Sequence, residues 1–277
     1  SVAAETVKKS TNLAVQVDLL NHVVNMNGPI EQNYRRGWFG MARGTAIGDR
    51  DTADTFVYRA VRTLQVPADS PGRGRLLLVA PGSVSRSVVL ESGAAETVLL
   101  DGTFAAAAVA ARMTAFTSPA DTLLRKTVSG LRIEDFPTYV KAERAQLASN
   151  GVTVITQDAG RLILLDPVTT EAGGGRLPQF VEPSASTQKD AVSLAVNELV
   201  DANLVGVVPD DLSRFLTTVK SYVGSALQAL IASGAIAPFR DDSGVSRDID
   251  LSRDVQAFQD ATDPTKYYFR YTYFLRY

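Results

Sequence analysis

The sequence predicts an α/β (α+β) fold: a layered, mixed β-sheet domain flanked by helices, preceded by a loop-rich N-terminal part. Three observations predict it. Residues 76–80, LLLVA, form a short, wholly apolar run between turn signals, as in a strand buried on both faces. Strand-like and helix-like patterns then alternate from residue 76 to residue 277, the mark of a layered domain. A long stretch opening at Pro209-Asp210-Asp211 repeats apolar residues at helical spacing and stops at Gly234. The expected division is an N-terminal helix and loop/strand-rich segment, 1–75, followed by an α/β core domain, 76–277, that ends in a strand.

Leu13, Val17, Leu20 and Val24 recur at steps of four, three and four, which favours an amphipathic helix that Asn27-Gly28-Pro29 stops, while the alternation of Leu13, Val15, Val17 and Leu19 leaves a strand as the alternative. Residues 30–75 read as loop, with an extended stretch from Thr55 to Val66 and a turn cluster from Ala68 to Gly74. After the buried strand 76–80, Pro81-Gly82-Ser83 makes a turn, Val98 to Leu100 a short strand, and Thr103 to Phe116 an alanine-rich helix. Asp135-Phe136-Pro137 starts a helix that runs through Leu147 and ends at Asn150-Gly151. Val152–Ile155 and Arg161–Leu165 form a hairpin around residues 157–160, and Gly173-Gly174-Gly175 is a flexible link. Thr187 with Asp190 resembles a capping arrangement, with a helix following to Asn203. Leu212, Phe215, Leu216, Val219, Val223, Ala226, Leu227, Leu230 and Ile231 line one face of the helix that follows Asp211.

The last eleven residues, YYFRYTYFLRY, hold five of the nine tyrosines and read as a strand. One face carries Tyr267, Phe269, Tyr271, Tyr273, Leu275 and Tyr277; the other carries Tyr268, Arg270, Thr272, Phe274 and Arg276. The first face has no charge and calls for cover. The second mixes rings with guanidinium groups, a combination enriched where proteins meet. Arg270, Phe274, Arg276 and Tyr277 are therefore candidate interface residues. So are Trp38, Arg35 and Arg36, beside Phe39, for which core burial is the equal alternative.

Catalytic chemistry finds little to build on. No cysteine is present, and His22 is the single histidine, so thiolate and histidine-rich metal sites are excluded. A base would need a nucleophile and an orienting carboxylate, and a structural or surface role suits His22, which sits among Leu19, Leu20, Val23 and Val24. Ser83 follows a strand but has no Gly-x-Ser-x-Gly elbow, so a plain turn is the better reading. Pro71-Gly72-Arg73-Gly74-Arg75 could cradle a phosphate, but it precedes its strand; a turn with solvated arginines fits better. Asp49 with Asp51, Asp210 with Asp211, and Asp241 with Asp242 read as solvated loops, Asp210 also as a helix cap. No enzyme and no cofactor is expected. Net charge is −2, which implies no nucleic-acid partner, and the run Phe104–Ala111 is too short to insert in a membrane.

Read in order, residues 76–277 resemble the conserved C-terminal region of contractile phage tail sheath proteins. The short buried strand ends in Ala80-Pro81-Gly82, and Asp101-Gly102 precedes the small-residue helix FAAAAVAARM. A helix leads to Asn150-Gly151-Val152-Thr153-Val154-Ile155, similar to a sheath phrase with Gly-Val and a following Ile. A hairpin then leads to Asp166-Pro167-Val168-Thr169-Thr170. Two long helices follow, the second closing in Ser233-Gly234-Ala235-Ile236, and Ile249 to Tyr277 looks like the closing strands. The resemblance covers about three quarters of the chain and lies in order and spacing rather than in a single motif. It implies a structural subunit that stacks as rings, six-fold, around an inner tube and contracts to drive the tube through a host envelope. Its implied partners are further copies of itself, a tail tube protein, and baseplate and tail terminator proteins. Its implied place is the virion, in a phage tail assembled in the host cytoplasm. The alternative is a soluble α/β enzyme or anion-binding protein using the arginine-rich turn at Arg73 and Arg75.

Overall fold

A computed structural model describes residues 17–27, 35–41, 65, 70, 72–133, 140–174, 178–207 and 209–276. In chain order its elements are helix α1 (17–26) and strands β1 (Gly37–Gly40), β2 (Leu76–Ala80), β3 (Ser83–Val89) and β4 (Ala95–Asp101). Helix α2 (Gly102–Thr114), strand β5 (Thr127–Val128), helix α3 (Lys141–Ser149) and strands β6 (Val152–Asp158) and β7 (Arg161–Leu164) follow. A 3-10 turn (Thr170–Gly174), helices α4 (Pro178–Val181), α5 (Pro183–Leu204) and α6 (Leu212–Ala232), and strands β8 (Val255–Gln259) and β9 (Tyr267–Tyr271) complete the chain. Helices and mixed sheets together make this an α/β fold.

The chain divides into two compact units, and the division falls inside α5. One comprises Ser1–Phe116 with Thr122–Ser186; the other comprises Thr117–Asp121 with Thr187–Tyr277.

The first unit is built on a five-stranded sheet in the order β1-β2-β6-β7-β5. β1, β2 and β6 run parallel, while β7 is antiparallel to both β6 and β5. Every residue of β2 is buried. Side chains on a strand alternate between faces. Leu76, Leu78 and Ala80 accordingly join Val23 of α1, Leu147 of α3, and Val152 and Val154 of β6 in one cluster. Leu77 and Val79 join Ala105, Ala106, Val109 and Met113 of α2, with Ile155 and Leu164, in the other. The alanine content of α2 lets it sit close to the sheet. Closest of all is the crossing of β1 with the start of α2, where a Cβ on Gly40 would collide with the backbone of Gly102 and a Cβ on Gly102 with the carbonyl of Met41. The hairpin between β6 and β7 turns on Ala159 and Gly160, at φ 46° and 76°. A two-residue type I′ turn requires a positive φ at both central positions.

The second unit is held by a cluster of Val192 and Val196 on α5, Val219, Val223, Ala226 and Leu227 on α6, and Ile236, Phe239 and Val255. Asp211 caps α6 by accepting from Arg214 N at 3.0 Å, and Gly234 follows its end at φ 74°. β8 and β9 form a separate two-stranded antiparallel sheet, Val255 opposite Tyr271 and Gln259 opposite Tyr267.

Several elements differ from the sequence reading. Ser83 to Val89 is a strand, not a plain turn, and it pairs with β4 along its whole length. Its outer half is exposed and therefore lacks a one-sided apolar pattern. Helix α5 begins at Pro183, so Thr187 and Asp190 lie inside it rather than at its start; Pro183 fits a first helical position, where its missing N–H costs little. Helix α3 begins at Lys141, after an extended Val140; Asp135-Phe136-Pro137 lies outside the described residues, as does most of the expected extended stretch 55–66. Residues 170–174 form a 3-10 turn where a flexible link was expected. The closing strand ends at Tyr271, because β8 reaches only to Val255; beyond it Thr272 N donates to Asp254 O, and Phe274 pairs with Ala237.

Leu227 is 0% exposed in the core of the second unit. Leu227→Ala is expected to lower stability by about 2–5 kcal/mol in urea denaturation. Leu212→Ala, at the exposed start of the same helix, should change it by less than about 0.5 kcal/mol. Ala159→Asn creates the Asn-Gly pair a type I′ turn favours and is expected to stabilise by up to about 1 kcal/mol, read in the same assay.

Candidate assembly surfaces

The closing hairpin sorts its side chains as the alternation requires. Tyr267, Phe269, Tyr271, Tyr273 and Leu275 are half-buried, while Tyr268, Arg270, Thr272, Phe274 and Arg276 are exposed. Phe269, Tyr271 and Tyr273 pack on the second unit's cluster. Their rings follow one another at 6.1 Å and 6.1 Å, and Tyr267 meets Phe215 of α6 at 4.8 Å. Outside, Phe258 and Tyr268 face solvent together with centroids 5.8 Å apart.

Of the predicted surface residues, two also hold the fold. Phe274 is 42% exposed, yet its ring meets Phe239 edge-on at 5.4 Å. Arg276 is gripped through its backbone by Gln188, which is 0% exposed. Gln188 Nε2 donates to Arg276 O at 2.8 Å, and Arg276 N donates to Gln188 Oε1 at 2.7 Å. Arg276 Nη1 donates to Gly234 O at 3.2 Å, so its guanidinium closes the end of α6. Arg270 is held in the ladder opposite Gln256, and its side chain stands exposed on the outward face with no hydrogen bond or ion pair to the described residues. Tyr277 lies outside the described residues.

The Trp38 cluster is split by the strand it occupies. Trp38 packs on the α2 side of the sheet and Phe39 on the α1 and α3 side. Arg36 Nε donates to Ser186 Oγ at 3.2 Å; Arg35 is exposed, and its carbonyl accepts from Asn27 Nδ2 at 2.8 Å. β1 therefore scatters these four residues rather than presenting them as one patch.

The arginine-rich turn is not a solvated one. Arg73 Nε stands 3.4 Å from Glu171 Oε2, whose side chain is 1% exposed, and its guanidinium lies 4.0 Å over the ring of Phe180. Arg75 is 3% exposed. Both cations are thus built into the first unit. His22 is exposed on α1, and Ser83 lies in the β3–β4 ladder opposite Asp101. No group of three or more His, Asp or Glu among the described residues is placed to hold a metal ion.

A feature the sequence reading missed organises the loops around β8 and β9. Asp241-Asp242-Ser243, Asp250-Leu251-Ser252, Asp260-Ala261-Thr262 and Asp263-Pro264-Thr265 repeat Asp-x-Ser/Thr. In each, the aspartate Oδ1 accepts from the hydroxyl two residues on at 2.6 Å. These local rings let a polar chain turn without a core. Asp254 adds a bidentate pair with Arg247, at 2.6 and 2.7 Å. Hydrogen bonds to the ionised form lower all five carboxyl pKa values. The Arg247 guanidinium is the main cause at Asp254, and the Ser or Thr hydroxyl at Asp241, Asp250, Asp260 and Asp263; Asp260 falls to about 2. Burial instead raises Glu182, against hydrogen bonds from Thr122 and Ser184.

No protein-family model and no curated protein matches the sequence. Solved structures do match. The chain is similar to the sheath of an extracellular contractile injection system in its contracted state, with TM-score 0.57 and 10% identity over 87% of this chain and 60% of that one. It is similar to the contracted helical sheath of the anti-feeding prophage, with TM-score 0.53 and 12% identity over 82% of this chain and 65% of that one. It is similar to a sheath tail protein from Listeria innocua, with TM-score 0.51 and 17% identity over 73% of this chain and 43% of that one. The chain has the fold of contractile-tail sheath proteins. It spans less than half of the Listeria sheath tail protein.

Acid should act on the closing segment. An aspartate with a folded pKa below its unfolded value leaves the folded chain with fewer bound protons than the unfolded one. Its contribution is complete above about pH 4 and is lost as pH falls through the folded pKa. The melting temperature is expected to drop steeply from about pH 4 to pH 2. Asp254→Asn should melt lower than the unsubstituted chain at pH 7 and show a shallower acid drop in calorimetry.

Proposed function

We propose that this chain is a structural subunit of a contractile tail sheath, polymerising as stacked rings around a tail tube and contracting to drive the tube through a host envelope. The sheath fold carries this reading. Neighbours of the same fold come from contracted sheaths and from a six-fold symmetrised baseplate complex, which supports repeated self-association as the chain's work. Its partners would be copies of itself, a tail tube protein, and baseplate and tail terminator proteins. Its place would be a phage or phage-like tail, assembled in the host cytoplasm. A non-enzymatic role accords with this, and the engagement of Arg73 with Glu171 weighs against an anion site at that turn.

The exposed face of the closing hairpin supports assembly through it. Arg270 and Phe274 are candidate contact residues, with Arg276 and Tyr277 beside them and Trp38, Arg35 and Arg36 on the other unit. A two-stranded sheet leaves edges open to strand addition by a neighbour. In such a lattice the energy of contraction lies in two alternative packings of one folded subunit.

Purified protein viewed by negative-stain microscopy is expected to show rings or helical tubes. Particles that stay single at every concentration would remove this reading. Deleting residues 274–277 takes away the Gln188 grip, so the deletion should lower the melting temperature as well as impair polymer formation. Arg270→Glu separates the two effects: an unchanged melting curve with weakened polymer is expected.

A further inference from the structure

The β3–β4 ribbon carries two exposed apolar surfaces of opposite charge. The first is an open groove of about 470 Å³ between the ribbon and α2, lined by Val88, Val98, Leu100, Phe104 and Leu131, with Arg86 as the only charged residue of the lining. Phe104 is 51% exposed. The Arg86 side chain is exposed and makes no hydrogen bond or ion pair with the described residues.

The second is the turn that joins β3 to β4. Val89 is 75% exposed and Leu90 44%. Glu91 follows them, exposed, and its side chain likewise makes no hydrogen bond or ion pair with the described residues. From Ser87 to Thr97 the only charges are Glu91 and Glu96. Beyond the bridge of Ser85 to Arg132, β3 and β4 pair only with each other among the described residues. A Cβ built on Gly93 in the turn would meet nothing within 4 Å, so that side of the turn is open. An isolated two-strand ribbon is marginal in water, and apolar side chains at its end need cover.

We infer that the tip of one ribbon, Val89-Leu90-Glu91, docks in the groove of a second copy, with its apolar side chains against Val98 and Phe104 and the Glu91 carboxylate toward Arg86. This rests on the sheath reading and names one contact which that reading needs. A groove that is apolar apart from one guanidinium fits an occupant that is apolar apart from one carboxylate. Tip and groove are different patches of one chain, so the contact repeats head to tail, as an open helical assembly requires. Tip on tip would set Glu91 near Glu91, and groove on groove would set Arg86 near Arg86. The outward face of β8 and β9 carries Arg270, of the same sign as Arg86. Several other exposed apolar residues stand near acids already engaged in their own turns. Asp241 near Val245 accepts from Ser243, and Asp250 beside Leu251 accepts from Ser252. Asp211 beside Leu212 caps α6, and Glu143 accepts from the backbone N of Val140. Leu194 with Glu198, exposed on α5, is a rival that the test includes.

The absence of cysteine makes the test direct. Leu90→Cys and Val98→Cys chains are mixed, allowed to assemble and treated with a short bismaleimide. Both positions are exposed, so both variants should melt like the unsubstituted chain. A covalent heterodimer is expected, with no dimer from either variant alone. Polymer that yields no heterodimer overturns the inference and leaves the sheath reading standing. A dimer from Leu90→Cys alone or from Val98→Cys alone overturns it, by making that surface a self-contact. So does a heterodimer of Val98→Cys with Leu194→Cys in place of Leu90→Cys. Failure of the unsubstituted chain to polymerise overturns the reading and the inference with it. A second measurement uses charge. Arg86→Glu and Glu91→Arg should each raise the concentration needed for polymer about tenfold, and the two in one chain should restore it. Assembly of both single variants at the concentration the unsubstituted chain needs overturns the inference.

Discussion

The first unit depends on one strand with no exposed side. β2 is apolar at every position, so it is stable only if both faces are covered. Its even residues demand α1 and α3, and its odd residues demand α2. Parallel pairing with β1 and β6 follows, because covering helices on both faces are what long parallel crossovers supply. The glycine contact between β1 and α2 is the tightest consequence. With Leu77 and Val79 drawing α2 onto the sheet, only residues without a side chain fit at Gly40 and Gly102.

In the second unit a sheet of two strands would be marginal by itself. Tyr267, Phe269, Tyr271 and Tyr273 make it stable by laying a ring surface on α6 and its neighbours. The chain end is then fixed polar group by polar group. Gln188, buried within α5, offers one donor and one acceptor at the spacing of a strand and so supplies Arg276 with the pairing a missing third strand would give. Replacing that glutamine by an apolar residue would leave two backbone groups unpaired, which is the costly outcome for a buried amide.

Most of this architecture was legible where burial imposes a period. LLLVA, the alanine-rich helix, the face of α6 and the alternation of the last strand each need one kind of cover, and the residues say which. The β3–β4 ribbon was not legible because solvent reaches both of its faces beyond Ser85, so no alternation had to be written into Arg86 to Val89. The start of α5 was misread for another reason: Thr187 and Asp190 carry the chemistry of a cap, but Pro183 four residues earlier already fits the helix. Trp38 and Phe39 looked like one patch in sequence, and the pleat of β1 sends them to opposite faces. The Asp-x-Ser/Thr turns were on view, yet each is a local ring whose role shows only when β8 and β9 are seen between them.

The two units place their polar pairs unlike their exposed rings, and this bears on how a contractile lattice could work. Arg73 with Glu171, Arg247 with Asp254, and Gln188 with Arg276 fix the interior through geometry that tolerates little displacement. Phe104, Val98, Phe258 and Tyr268 lie on surfaces that no described element covers, with few hydrogen bonds to set an angle of approach. Apolar contact is non-directional, so rings in a groove can slide while area stays buried. A subunit that is stiff inside and greasy outside can exchange one packing for another without unfolding. In a contractile lattice built from such subunits, the free energy released on contraction would be a difference between two packings of one folded chain.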